Sequence, residues 1–177
     1  MQRSKIASLA TGLAFAVALI AMPAQAQMPV SLNIGGGMTL PSGEMAEGLD
    51  NGYHAMAGVR AGLPALPVHL RVDGMYNRLP ISFGAGHVST IGAIAALGYD
   101  VVPVGPARLY ALGGGGYYWS KADVPDAERV GDFGWNAGAG LRMNLLAAKF
   151  FVEARYHSIS TEGGDMTNTP ITLGLSF

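Results

Sequence analysis

The residues that come closest to a catalytic set in this sequence are His157 and Ser158, with Glu153 and Ser160 nearby. A serine, a histidine and an acid can hydrolyse an ester when nucleophile and base lie on one face within hydrogen-bond reach. These residues fall in a segment of alternating polarity, and adjacent residues of a strand point to opposite faces. We therefore expect His157 to point inward and Ser158 outward, which argues against catalysis at this position.

Metal and phosphate chemistry find no better support. None of His54, His69 and His87 forms a His-x-His or Glu-x-x-His pair, and the absence of Cys removes thiolate, disulfide and Cys-zinc chemistry. The run Gly113–Gly116 has the glycines of a phosphate loop but not the following Lys-Ser/Thr, and it lies within a strand pattern. We expect no bound metal and no cofactor.

The elements that position these side chains are eight strands of alternating polarity. The closing one is the clearest: Ile171, Leu173 and Phe177 share one face, and Thr172 and Ser176 share the other. In the fourth strand both faces are apolar or small, and Ile91, Ala93, Ala95, Leu97 and Tyr99 are placed outward; the facing of the fifth is undecided. The predicted strands lie at about residues 30–40, 52–63, 68–78, 88–101, 108–119, 133–144, 149–160 and 169–177.

The connectors between these strands alternate in length. Those after strands two, four and six are short, whereas those after strands one, three, five and seven are longer and more polar or Gly-rich. Short turns on one side and long loops on the other are typical of an up-and-down barrel in an outer membrane. The sequence therefore predicts an all-β fold, an eight-stranded antiparallel transmembrane β-barrel.

The amino terminus predicts export. Arg3 and Lys5 precede an apolar run, residues 6–21, and the small-x-small segment Ala24-Gln25-Ala26 follows. We expect residues 1–26 to be a cleaved signal peptide and residues 27–177 to form one barrel domain. Without Arg3 and Lys5 the chain has nine basic against twelve acidic residues, a net charge of −3 that excludes a nucleic-acid binder.

Charged residues on the predicted polar faces should lie inside the barrel. An eight-stranded barrel is just wide enough to be filled by side chains, so these charges must pair with each other to offset their lost hydration. In one outcome these charges form a salt-bridged plug. The alternative is a narrow pore, which would favour anions because arginines are in excess. The set consists of Arg60, Arg71, Asp73, Arg142, Glu153 and Arg155.

Aromatic residues on the opposite, outward faces should collect at two heights. Such belts mark the two interfaces of a membrane. The predicted belt residues are Tyr53, Tyr99, Phe133, Trp135, Phe150 and Tyr156.

Nine of the twelve acidic residues fall in the long connectors or at their edges. Solvation of exposed loops accounts for them, and bridging of divalent cations to anionic lipopolysaccharide is the sharper alternative, because carboxylate oxygens suit hard cations. They are Glu44, Glu47, Asp50, Asp123, Asp126, Glu128, Asp132, Glu162 and Asp165.

Four segments carry a resemblance to a known family: the signal, the Gly35-Gly36-Gly37 first strand, the segment 151–156 and the terminal segment 171–177. In these segments the chain resembles the bacterial outer-membrane β-barrels of OmpA/OmpX type. The resemblance implies a monomer in the outer membrane of a Gram-negative-type bacterium, in contact with its lipids and lipopolysaccharide, and Phe177 as part of the signal read by the barrel-assembly machinery. It implies a structural or interaction protein that supports envelope integrity and presents extracellular loops. A narrow pore and a lipid A or phospholipid hydrolase remain the alternatives.

Overall fold

A computed structural model of the chain describes residues 29–104, 106–123, 127–145, 148–161 and 164–177. The expected signal peptide, Asp126 and Glu162 lie outside these residues. The described part contains one short helix, α1 (Met45–Gly48), and eight strands. No helix in it is long and apolar enough to cross a membrane. The strands are β1 (Val30–Ser42), β2 (Gly52–Gly62), β3 (Val68–Pro80), β4 (His87–Val104), β5 (Ala107–Ala122), β6 (Val130–Leu145), β7 (Ala148–Thr161) and β8 (Gly164–Ser176).

The described strands close into a barrel in which each pairs antiparallel with the next and β1 pairs with β8. This confirms the predicted eight-stranded up-and-down architecture. The side of the barrel with the connections 63–67, 105–106 and 146–147 is called the turn end here, and the opposite side the loop end. Pro29 and Phe177 both lie at the turn end, where the backbone of Phe177 exchanges hydrogen bonds of 2.8 and 3.0 Å with Leu32.

Burial alternates along the strands with the polarity of the side chains. In β2, His54 and Met56 are buried whereas Tyr53 and Val59 are exposed. The fourth strand also follows its predicted facing, since Ile91, Leu97 and Tyr99 are exposed and Ile94 is buried. Apolar side chains thus cover the outside of the barrel and polar ones line much of its interior, as in a barrel whose outer wall meets lipid.

The facing of β5, which the sequence left undecided, is set by its tyrosines. Tyr110 and Tyr118 are fully buried in the lumen, and Trp119 lies on the exposed face. Two glycines of the four-Gly run share the inward face with the tyrosines, and a Cβ at Gly116 would lie only 2.8 Å from the carbonyl oxygen of Ala93 on β4. The run therefore permits close approach of the two strands.

All strands except β2 are longer than the sequence predicts, and one loop is much shorter. A long connector over residues 161–168 was expected, but β8 already begins at Gly164, which pairs with Thr161. The prediction was wrong because the polar segment still carries an inward apolar residue. Met166 pairs with Ile159 and packs on the lumenal core, so the hairpin continues beyond the predicted strand ends.

The loops after β1 and β3 are joined at the loop end. Leu49 forms an isolated antiparallel bridge with Ile81, and the Ser82 hydroxyl donates a 2.9 Å hydrogen bond to Asp50 Oδ1. The backbone N–H of Asp50 also donates to the carbonyl of Pro80. These two loops therefore form one connected surface.

A small apolar core fills part of the lumen. It consists of Met56, Met75, Ile94, Tyr118, Phe151 and Ile159, with Met166 packed against it. Large rings fit in this narrow space because glycines face them: a side chain at Gly140 would overlap the ring of Tyr110, and one at Gly174 would overlap the ring of Phe151. The high glycine content thus accommodates bulky lumenal side chains.

Candidate functional site

Four of the six charged residues predicted to face the lumen join in a closed network, here called the charged ring: Arg71 and Asp73 on β3, and Glu153 and Arg155 on β7. Arg71 donates through Nε to Asp73 at 2.8 Å and through Nη1 to Glu153 at 2.6 Å. Arg155 donates through Nη1 to Asp73 at 3.0 Å and through Nη2 to Glu153 at 2.6 Å. Each guanidinium therefore contacts both carboxylates.

The charged ring has no net charge and is almost completely buried. Its side chains are only 2–5% exposed. Tyr110 on β5 donates a further 2.7 Å hydrogen bond to Glu153 Oε2, so that Glu153 is bonded on both oxygens. Two positive and two negative charges with these contacts meet the condition under which buried ions are tolerated.

The other two predicted lumenal arginines lie apart, toward the turn end. Arg60 Nη2 donates to Asp100 Oδ2 at 2.9 Å, and Arg142 Nη1 lies 3.5 Å from Asp100 Oδ1. Arg60 and Arg71 are register partners on β2 and β3, yet their side chains enter different clusters. Asp100 was not among the predicted lumenal charges, because it follows the apolar run of β4. The alternation of β4 nevertheless places it on the inward face, next to the outward Tyr99.

The space in the lumen differs between these two clusters. Beside the charged ring there is a cavity of about 10 Å³, the size of a single water molecule, which Asp73, Glu153 and Arg155 help to line. At the turn end Arg60, Asp100 and Arg142 line a cavity of about 200 Å³. The lumen is thus narrow at the charged ring and wide at the turn end.

The histidine and serine candidates do not form a catalytic set. His157 Nδ1 lies 2.8 Å from the hydroxyl of Tyr118, whereas Ser158 donates to Asp165 at 3.2 Å. His54 bonds Thr39 and Thr172 through its two ring nitrogens. Within the described residues, no three His, Asp or Glu side chains are grouped closely enough to hold a metal ion.

The predicted aromatic belt residues lie on the outer face. Five are exposed to between 37% and 74%, with Phe133 the most exposed, and Phe150 is half-buried. Tyr117 on β5 adds to the belt at the loop end, where its ring packs edge-on against Phe133 and Trp119, each with centroids 4.9 Å away. The terminal Phe177 is 64% exposed on the outside of the turn end.

An outward-facing groove, called the loop-end groove here, lies above this belt on β3, β4 and β5. Its floor is a cross-strand row in which Tyr76 pairs with Ile91, and Ile91 pairs with Trp119. Two residues further toward the loops, a rise of about 7 Å, a second row carries basic residues. In that row Arg78 pairs with Ser89, and Ser89 pairs with Lys121.

The loop-end groove has a volume of about 250 Å³ and a basic edge. Lys121 and Arg129 line it, and His87 Nδ1 lies 3.1 Å from both Arg78 Nη2 and Asp123 Oδ2. Asp123 is the acidic residue of the groove among the described residues. Aromatic side chains therefore lie directly beneath a cluster of cations on the outer wall of the barrel.

The sequence was compared with models of known protein families and with curated proteins. The profile of the family described as outer membrane protein beta-barrel domain matches residues 11–177. No curated protein sequence matches the chain significantly.

Several solved outer-membrane barrels share the fold at low sequence identity. Neisserial surface protein A is 12% identical, with a TM-score of 0.69 over 83% of this chain and 95% of that one. Ail, the attachment invasion locus protein of Yersinia pestis, is 16% identical, with a TM-score of 0.54 over 84% and 97%. A major outer membrane protein from Thermus thermophilus is 9% identical, with a TM-score of 0.50 over 84% and 99%. The family match and the closed eight-stranded barrel together show that this chain belongs to the outer membrane protein beta-barrel domain family.

Proposed function

We propose that this protein is a closed, non-conducting and non-catalytic barrel that supports the integrity of the outer membrane, presents its loops outside the cell and contacts lipopolysaccharide at its outer wall. The observation that supports a closed lumen most strongly is the charged ring. Its four side chains bond one another, and the adjoining cavity has room for only about one water molecule. An ion would have to break these contacts to pass.

Conductance of the refolded protein in planar bilayers tests this proposal. We expect the wild type to show no stable conductance steps. The double variant Glu153→Ala, Arg155→Ala removes one charge of each sign and half of the charged ring, and we expect it to conduct. Glu128→Ala, at an exposed position between β5 and β6, is the control and should behave like the wild type. Stable, anion-selective steps from the wild type would instead establish the narrow pore.

The absence of catalysis is supported by the separation of His157 from Ser158. Each is bonded to a different residue, so the histidine is not placed to act as a base for the serine. Incubation of the refolded protein with lipopolysaccharide and phospholipid, followed by mass analysis, should return both lipids unchanged. Loss of an acyl chain by the wild type but not by His157→Ala would establish the hydrolase instead.

Contact with lipopolysaccharide is proposed at the loop-end groove. The exposed aromatic row lies where acyl chains end, and the basic residues above it lie at the height of the headgroups. Among the residues that the structure describes, Lys121 and Arg129 supply two cations to the groove and Asp123 one carboxylate. Lipopolysaccharide matches this pattern, because its acyl chains suit the apolar floor and its phosphorylated headgroup suits the basic edge.

Binding of lipopolysaccharide to the barrel in nanodiscs of zwitterionic lipid tests this contact. The double variant Lys121→Gln, Arg129→Gln should weaken binding, whereas Arg108→Gln, Lys149→Gln at the turn end, with the same charge change, should not. Equal binding by the wild type and both double variants would overturn the assignment to the groove.

A further inference from the structure

The turn end of the lumen carries a strong excess of positive charge. Among the described residues, the cavity of about 200 Å³ found there is lined by four basic side chains and one acidic one. Its charged and polar lining includes Arg60, Asp100, Arg108, Arg142, Asn144 and Lys149. This space is called the turn-end cavity below. In an outer-membrane barrel with this loop pattern, the turn end faces the periplasm.

The register of the strands forces these cations together. Arg108 on β5 is the direct cross-strand partner of Arg142 on β6, and Lys149 on β7 is the partner of Asn144 on β6. Like charges directly opposite one another in a sheet are destabilising. All of these positions lie on the inward face of their strands, so the positive side chains converge on one cavity instead of spreading over the wall.

Asp100 neutralises only part of this charge. It is the 2.9 Å partner of Arg60 and lies 3.5 Å from Arg142, whereas no ion pair among the described residues involves Arg108 or Lys149. Arg60 and Arg142 are only 14% and 11% exposed, and the buried Nε of Arg60 has no hydrogen-bond partner among those residues. The charged ring, by contrast, contains equal numbers of positive and negative groups.

We propose that the turn-end cavity binds a phosphate-class oxyanion that enters from the periplasmic side. Partly buried guanidinium groups without enough carboxylates are stabilised by a multiply charged anion with several acceptor oxygens. Arg108, Arg142 and Lys149 provide the donors. The paired Arg60 and Asp100 form the inner wall. Arg142 is held in place by the ring of Tyr110, whose centroid lies 4.8 Å from the guanidinium carbon.

Phosphate is preferred to a simple carboxylate for two reasons. The cavity carries four positive charges and one negative charge, which a dianion balances better than a monoanion. Two arginine forks also match the tetrahedral display of phosphate oxygens. The phosphate group can belong to a soluble phosphate or phosphate monoester, for which both reasons hold, or to a phospholipid headgroup of the inner leaflet, whose phosphodiester is a monoanion and meets only the second.

Isothermal titration of the refolded barrel at low ionic strength tests the site. Inorganic phosphate and glycerol 3-phosphate are the soluble probes, and chloride at equal ionic strength is the anion control. We expect saturable binding of both phosphates to one site, and affinity reduced on the order of tenfold or more in Arg108→Gln, Lys149→Gln. Glu44→Gln, Glu47→Gln at exposed positions of the loop end changes the net charge by the same amount in the opposite sense and should bind like the wild type.

Both substituted pairs lie at exposed positions, and heat-dependent electrophoretic mobility shows whether each variant is folded. Failure of the wild type to bind phosphate more tightly than chloride would overturn the proposal, as would equal affinity in the two double variants. A second titration compares barrels in nanodiscs of phosphatidylglycerol with barrels in a nonionic detergent that contains no phosphate, so that unchanged binding means equal binding in the two. Weaker phosphate binding in phosphatidylglycerol that depends on Arg108 and Lys149 identifies the headgroup as the source, and unchanged binding identifies the soluble anion. The closed lumen and the loop-end groove are tested separately and do not depend on this result.

Discussion

Glu153→Ala should be among the most destabilising single substitutions in this barrel. Glu153 is 2% exposed and accepts four hydrogen bonds: one from Arg71, one from Tyr110 and two from Arg155. Truncation leaves two guanidinium groups with the single carboxylate of Asp73. Removing one partner of a buried ion pair typically costs about 3–5 kcal/mol, and we expect the free energy of unfolding to fall by that amount.

Urea titration of the refolded barrel in lipid, followed by far-UV circular dichroism, measures this loss. Glu128→Ala is the matched control, because Glu128 is exposed and its removal should change the free energy of unfolding by no more than about 0.5 kcal/mol. Two small, equal effects would refute the reasoning, since they would mean that water hydrates Glu153 in the folded barrel.

A double-mutant cycle separates the ion pair from the packing. Glu153→Leu combined with Arg155→Leu leaves the neutral pair of Arg71 and Asp73, which are bonded at 2.8 Å. The double variant should therefore be less destabilised than the sum of the two single variants, because neither charge remains without its partner. Additive effects would show that Glu153 and Arg155 contribute independently.

Two further substitutions and one deletion test other features of the barrel. Tyr110→Phe removes one hydrogen bond to the Glu153 carboxylate and should lower the free energy of unfolding by about 1.5–3 kcal/mol in urea titration; no change would mean that water replaces the hydroxyl. Gly140→Val forces a side chain into the Tyr110 ring and should cost about 1–3 kcal/mol, whereas Ala139→Val on the exposed face should be nearly neutral in the same assay. Deletion of Phe177 should lower the fraction of heat-modifiable, folded barrel in isolated outer membranes relative to Phe177→Tyr, and an equal fraction would contradict its role in assembly.

The strands and their facing could be predicted wherever polar and apolar residues alternate. The inward facing of the four residues in the charged ring follows from that alternation alone, since Arg71, Asp73, Glu153 and Arg155 all occupy inward positions. The facing of β5 could not be predicted, because its four consecutive glycines carry no polarity contrast across the two faces. In β5 the size of the tyrosine side chains determines which face points into the lumen. Whether such large rings fit there depends on the glycines that face them on other strands.

The division of the lumenal charges into two clusters also could not be predicted from the sequence. Alternation assigns a residue to a face but not to a height along the barrel axis, which depends on the strand register. Arg60 and Arg71 are paired in that register, and the direction in which each side chain leans decides its partner. The excess of positive charge was therefore evident from the sequence, whereas its concentration at the turn end required the structure.

The charged ring has a consequence for how the barrel assembles. Its long-range contacts all join β3 to β7, strands separated by half the circumference of the barrel and by 82 residues along the chain. A sheet containing only β1 to β4 would present Arg71 and Asp73 to lipid or water with no β7 to meet them. Only the pairs within one strand, Arg71 with Asp73 and Glu153 with Arg155, can form before the barrel closes, so the full network exists only in the completed cylinder. Partly inserted hairpins lack the contacts between β3 and β7, which favours closure as a single step and disfavours the release of an unfinished barrel into the membrane.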